Sequence, residues 1–167
     1  MHDKLTQSDI DKMQKEIDYR KLELRKMLLE EVKETRAHGD LSENFEYHAA
    51  KKAKNQNESR IRYLERMIKT AQVIEDTSKE DEVGMNNTVT VFFEEEETVE
   101  TFKIVTTVRG DSLNNFISIE SPLGKALMKH KEGDRVQVKV NDAYSYFVRI
   151  QKIEKTVDDE NDRIRSY

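Results

Sequence analysis

There is no cysteine among the 167 residues. That excludes disulfides, thiolate catalysis and zinc–sulfur sites, and it suits a cytosolic protein. Tryptophan is absent too, and proline occurs once, at Pro122. No run approaches the roughly 20 apolar residues of a membrane span. The opening His2-Asp3-Lys4 carries no apolar signal region, so a cytoplasmic protein without membrane contact is expected. Hydrophobic residues make up only 35 % of the chain and aromatics 7 %, against 38 % charged, so one large globular core is not expected. A long two-helix hairpin fits better, because each helix needs only a narrow apolar seam. The four histidines are scattered, and no Asp/His/Ser set is spaced for nucleophilic catalysis.

The net charge of −5 argues against a protein that grips nucleic acid over its whole surface. The charge is uneven. Residues 1–75 hold sixteen Lys/Arg against fifteen Asp/Glu, leaving thirteen against nineteen for the remainder. Any nucleic-acid contact should therefore be local and lie on the first half.

Taken in order, Thr6-Gln-Ser-Asp9 has the form of a capping box with a short acid. Ile10, Ile17 and Leu24 recur every seven residues, with Met13 and Leu28 filling the seam and Val32 continuing it loosely. This is coiled-coil spacing, broken near the middle by Arg20 and Lys21. The pattern predicts a helix ending near Ala37 and a return helix starting at Ser42 or Glu43. The return helix offers Ala49, Ala50 and Ala53 to the seam, then the polar Asn55-Gln56-Asn57. Ile61, Leu64, Ile68 and Ala71 then resume antiparallel-partner spacing. Such helices run about 45 Å for about 30 residues. The seam is strongest at the base and weakest near the turn, a pattern that suits a probe whose far end enters another molecule.

The polar stretch Asp76–Glu82 marks a boundary, giving an N-terminal hairpin over 1–76, a linker over 77–83 and a second domain over 84–156. There the periodicity changes to two. Strands are predicted over 88–92, 101–108, 116–120, 136–140 and 144–153, with an acidic turn at Glu94–Glu97. Ser121 and Pro122 fit the cap and first turn of a short helix. The acidic tail, 157–167, is expected to be loose. The class is α+β: an antiparallel helical hairpin followed by an antiparallel-sheet domain with one short helix.

The chemistry concentrates between Gly39 and Lys52, Gly-Asp-Leu-Ser-Glu-Asn-Phe-Glu-Tyr-His-Ala-Ala-Lys-Lys. Gly39 allows the positive φ that reverses a helical chain, and Ser42 suits the N-cap of the return helix. Asp40, Glu43 and Glu46 then crowd the hairpin end. Acids at a helix N-terminus are common capping residues. Three carboxylates at one exposed end also make a cation site short of ligands, since a hard divalent ion wants about six oxygens.

This run resembles the tip signature of the Gre transcript cleavage factors, bacterial proteins that act on RNA polymerase. Ser-Pro-Leu-Gly-Lys-Ala-Leu at 121–127 resembles a second segment of the same family, in the right order and at about the right distance. The resemblance implies an FKBP-like fold for the second domain, docked on the polymerase rim through Ser121 and Pro122. It implies that the hairpin enters the secondary channel and carries Asp40 and Glu43 to the catalytic centre; a monomer is expected, though the sequence does not fix the oligomeric state. There they would share the polymerase's Mg2+, an ion the free protein does not hold, and stimulate cleavage of the backtracked nascent RNA 3′ segment. The chain would not itself be an enzyme. Gly39, Leu41, Ser42, Asn44, Glu46, Tyr47 and His48 would support the tip. The chain departs from the family at Phe45, where alanine is usual, at Thr106-Thr107, where a glycine is usual, and in the 140–143 turn.

Behind the tip lie Lys51, Lys52, Lys54, Arg60, Arg62, Arg66 and Lys69, diluted by Glu58 and Glu65. The plainer reading is a solvated helix face with i,i+4 pairs. Lys51, Lys52 and Lys54 are better candidates for RNA phosphates, being close to the tip acids and short of local acid partners. Two rivals stand beside cleavage stimulation. One is a channel-binding regulator that inhibits polymerase without promoting cleavage. The other is a prolyl isomerase or chaperone, which needs a deep aromatic pocket although Phe92, Phe93, Phe102, Phe116, Tyr144, Tyr146 and Phe147 serve mostly as core.

Overall fold

The computed structural model describes residues 3–39, 44–158 and 162–166. The chain divides into two compact units, Met1–Asp3 with Ile10–Ala71, and Lys4–Asp9 with Gln72–Tyr167. The division thus falls at Ala71/Gln72 rather than at 76/77, and 4–9 belongs with the second unit.

The first unit is the helical hairpin. Its outgoing arm is α1 (Gln7–Tyr19), a π-helical turn (Arg20–Leu24) and α2 (Arg25–Ala37). The return arm is α3 (Phe45–Thr70), 26 residues and about 39 Å long. The capping box at the start of α1 is made: Asp9 N–H donates to Thr6 Oγ1 at 3.2 Å, and Thr6 N–H to Asp9 Oδ2 at 3.0 Å.

The π turn sits where Arg20 and Lys21 interrupt the apolar seam. Arg25 N–H reaches back five residues to the Arg20 carbonyl, which widens the helix by one residue. Asn57 of α3 fills the seam opposite. Its Nδ2 donates to the Arg20 carbonyl at 3.3 Å, while the Arg20 guanidinium donates to Asn57 Oδ1 at 2.9 Å. Of the polar triplet 55–57, only Asn57 is buried. Further pairs tie the arms: Arg60 Nε to Glu16 Oε2 at 2.8 Å, a bidentate Arg25–Glu58 bridge at 2.7 and 2.9 Å, and Lys21 to Glu65. Met13, Ile17, Ile61 and Leu64 are buried, whereas Leu24, Leu28 and Val32 are only half-buried. The apolar seam therefore thins towards the turn, as the sequence pattern suggests.

The second unit holds a five-stranded sheet of β3 (Thr88–Phe93), β4 (Thr98–Val105), β5 (Phe116–Ser118), β6 (Arg135–Lys139) and β7 (Ser145–Glu154) in the order β5-β4-β3-β7-β6. A two-residue parallel pair, β1 (Lys4–Leu5) with β2 (Gln72–Val73), accompanies it. Four of the five strands pair antiparallel; β5 joins β4 in parallel. Period-two alternation puts Val89 and Val91, Val136 and Val138, Val148 and Ile150 on one face. Leu123 and Leu127 of the short helix α4 (Pro122–Leu127) pack into that core.

Three expectations are corrected here. The strand foreseen to Val108 stops at Val105, because Thr107–Arg109 forms a 3-10 turn that buries Arg109. The linker is packed: Val83 is fully buried, and its N–H donates to the His130 carbonyl at 2.8 Å. Among the seven aromatics assigned to the core only Phe102 is buried, with Phe93 packed edge-on against it at 6.0 Å and Tyr144 exposed.

Described residues of the tail are packed as well. Asp162 is buried beside Lys103 and Arg109, and Arg165 N–H donates to the Val108 carbonyl at 2.7 Å.

Candidate functional site

The end of the hairpin is built by two described anchors, Gly39 and Asn44. α2 closes at His38, and Gly39 takes φ 77°, a left-handed conformation that glycine adopts without strain. Its N–H donates to the Arg36 carbonyl at 3.3 Å. Asp40, Leu41, Ser42 and Glu43 lie outside the described residues.

α3 begins at Phe45, and its N-cap is Asn44 rather than Ser42. Asn44 Oδ1 accepts from Tyr47 N–H at 3.0 Å, the bond an N-cap makes to the third helical residue. Its Nδ2 donates to the Thr35 carbonyl at 2.7 Å, on the other arm. Asn was legible as a capping type, but nothing in the spacing favoured position 44 over 42. Around it, Tyr47 is half-buried with its ring 5.5 Å from that of exposed His48. His38 Nδ1 stands 3.7 Å from Glu46 Oε2, both exposed. Phe45 is 84 % exposed, so the side chain that departs from the motif is presented to solvent. Of the three seam alanines, Ala50 is buried, Ala53 half-buried and Ala49 exposed.

The basic residues divide into two groups. Arg60 leaves the proposed basic face: it is buried against Glu16, with its guanidinium 5.3 Å from the Tyr63 ring centroid. Burial raises the Glu16 pKa, but hydrogen bonds from Arg60 and Arg20 and their charges outweigh it, leaving the carboxyl below the ordinary glutamate value. Glu58 is held low mainly by its hydrogen bonds from Arg25, with a smaller contribution from the charge of Lys54. Lys54 is thus not free of acid influence. Lys51 and Lys52 are exposed, and none of the three lysines forms an ion pair among the described residues.

In the second unit, Ser121 and Pro122 open α4 as the sequence suggests. Ser121 Oγ accepts from Gly124 N–H at 3.1 Å and donates to the Ser118 carbonyl at 2.6 Å. Gly124 packs so closely on that carbonyl that a Cβ would collide with it. Pro122 itself is exposed at the first helical position. The motif is therefore a tight structural turn that leaves one proline ring on the surface.

Comparison with known proteins matches both units. A family model described as transcription elongation factor, N-terminal, covers residues 4–73, and one described as transcription elongation factor, GreA/GreB, C-term, covers residues 77–155. The chain belongs to the GreA/GreB family of transcription elongation factors. A relative named transcription elongation factor GreA, from Caldanaerobacter subterraneus subsp. tengcongensis, is 43 % identical over 137 residues, 81 % of this chain and 87 % of the relative. One of the same name from Brucella canis is 40 % identical over 136 residues, 80 % of this chain and 86 % of that one. Solved structures are similar only loosely. GreA factor homolog 1 of Thermus thermophilus is 23 % identical, covering 92 % of this chain and 99 % of that one, with a TM-score of 0.43. The GreA/GreB elongation factor of Nitrosomonas europaea is 25 % identical over 56 % of this chain and 78 % of its own, with a TM-score of 0.39. Residues 156–167, including the buried Asp162, lie beyond the stretch that the GreA/GreB models match.

Proposed function

We propose that this GreA/GreB protein acts on RNA polymerase, stimulating the polymerase's own cleavage of backtracked nascent RNA. The observation that carries the reading is the acid-bearing segment between Gly39 and Asn44, at the end of a two-helix hairpin whose apolar seam thins in that direction. A thin probe of two helices can enter a channel that a globular domain cannot.

Asp40 and Glu43 are the residues that would meet the metal. Two carboxylates suit a hard cation such as Mg2+, but they supply only part of about six oxygens, so the remaining ligands would come from the partner. In a two-metal hydrolysis one ion serves the attacking water and the other the leaving oxygen, and Asp40 and Glu43 would help to hold the second of them. Asp40 and Glu43 also accept protons and hydrogen bonds, so they orient the water. Lys51, Lys52 and Lys54 offer charge to the phosphates of the displaced RNA 3′ segment without competing for the metal. Exposed Pro122, on its rigid turn, is the contact offered to the polymerase rim.

The test adds the protein to purified backtracked elongation complexes with Mg2+. Shortened RNA whose 3′ end can be extended is the expected product. Slowed elongation with intact RNA at saturating protein would instead establish a channel-blocking inhibitor.

A further inference from the structure

We infer that Asn44 is a positioning residue for the tip carboxylates, tying the two arms of the hairpin together at the point where the acidic segment ends. The inference rests on the cleavage-stimulating role proposed above. Its basis is the use made of one side-chain amide. A primary amide is the only uncharged side-chain group that offers an acceptor and an N–H2 donor at separate atoms. Both ends are engaged here. The oxygen caps α3 at Tyr47 N–H, and the nitrogen donates to the Thr35 carbonyl of α2.

Each partner is a backbone group that its own helix leaves short of bonds. Tyr47 N–H is among the first four donors of α3, and the Thr35 carbonyl is among the last four acceptors of α2. The Thr35 carbonyl also accepts from His38 N–H at 3.2 Å, so both of its lone pairs are used. Thr35 is itself fixed. It is buried, and its hydroxyl lies 2.9 Å from the Glu31 carbonyl and 3.1 Å from that of Val32.

A cap alone does not require Asn, since Ser, Thr and Asp cap about as well. The tie to Thr35 does require it. Asp at 44 would keep the cap and set a carboxylate against a carbonyl oxygen. Ser would keep the cap and fall short of the second arm. Capping and tying are therefore separable by substitution. The tie also lies where apolar packing is thinnest, with Ala50 the buried apolar side chain nearest in α3, and the contact beside it, His38 with Glu46 at 3.7 Å, is exposed on both sides.

The experiment compares wild type with Asn44→Ser and Asn44→Asp. Cleavage of backtracked complexes is followed across protein concentration, with polymerase affinity from competition and helix content from circular dichroism. Both variants should keep helix content and affinity, while the cleavage rate at saturation falls about fivefold to tenfold, the worth of one lost hydrogen bond. Saturating rates within about twofold of wild type would overturn the inference, as would a loss that appears only in affinity or only with helix melting. Spin labels on cysteines introduced at Lys33 and Ala49, in a chain without cysteine of its own, test the tie without polymerase. The inter-label distance distribution should broaden in Asn44→Ser; an unchanged distribution overturns the inference. A wild type that yields no shortened RNA counts against the proposed function, and the label distances still decide the tie.

Discussion

Lys103 Nζ lies 2.6 Å from Asp162 Oδ2, and Asp162 is only 2 % exposed. The aspartate comes from the segment beyond the family match, yet it reaches a fully buried arginine. Arg109 Nε meets Asp9 Oδ1 at 2.6 Å, and its Nη1 lies 3.5 Å from Asp158 Oδ1 and 3.6 Å from Asp162 Oδ2. A guanidinium cannot shed its proton, so inside a protein it must be neutralised by carboxylates. Three acids, two of them in the tail, do this for Arg109.

Asp162→Asn should therefore destabilise the sheet unit, by about 3 kcal/mol if the pair behaves as a buried one losing a partner. Denaturant unfolding measures this. The double variant Lys103→Met with Asp162→Asn should recover part of the loss, because the half-buried Lys103 ammonium is then no longer left without its carboxylate. Unfolding midpoints equal to wild type would mean the tail contributes nothing.

The hairpin should weaken in acid. Glu16 and Glu58 are held below their ordinary value by arginine partners, so each binds a proton less readily folded than unfolded. Their contribution to stability is fully present above about pH 4.3, the unfolded glutamate value, and is lost as pH falls through the lower folded values. Arg60→Met should reduce this acid sensitivity by removing one of the cations that hold Glu16 low. Thermal melts of the helical signal between pH 7 and pH 3 show whether the slope changes.

What was legible in the sequence followed from periodicity. The seven-residue spacing of Ile10, Ile17 and Leu24 marked the hairpin, and the alternation of Val136 with Val138 marked a strand. What was not legible depended on tertiary partners. Arg60 looks like its neighbours on a basic helix until Glu16 is seen opposite it. Arg109 and Asp162 sit in stretches that read as loop and tail, and only their pairing shows them to be core. At the tip, Ser42 and Asn44 are equally good caps by composition. The structure chooses Asn44, whose side-chain nitrogen finds the Thr35 carbonyl while its oxygen caps the helix, a contact that sequence spacing cannot show.

Asp40→Ala and Glu43→Ala should each abolish stimulated cleavage while leaving polymerase affinity nearly unchanged. The two acids belong to the hairpin segment, whereas the proposed rim contact, Pro122, belongs to the other unit. Cleavage and competition binding measured side by side settle the matter. Parallel loss of both would mean that the acids bind rather than act.

Pro122→Ala should weaken polymerase affinity severalfold with little change in thermal stability. Leu123 and Leu127 carry the packing of α4, and Ser121 keeps the cap, so the exposed ring is nearly dispensable to the fold. Proline at the first helical position contributes mainly by restricting the unfolded chain, worth about 1 kcal/mol at most. An unaltered affinity would remove Pro122 from the docking surface.

The three lysines separate phosphate contact from metal chemistry. Lys51, Lys52 and Lys54 carry no carboxylate and cannot ligate Mg2+, but on the first turns of α3 they follow the tip acids closely. Each phosphate contact adds roughly 0.7 to the slope of log affinity against log salt for a single strand. Replacing all three with alanine should flatten the salt dependence of crosslinking to extruded RNA by about two units of slope. The gap between variant and wild type should be widest at low salt, where the lost contacts were strongest. Arg60 offers an internal contrast, because its charge is spent on Glu16 and its removal should alter hairpin stability and leave the salt slope unchanged. RNA segments too short to reach the lysines should be cleaved almost normally by the triple variant, and long ones poorly. Equal loss for short and long segments, or none, would show that this face is only solvated helix.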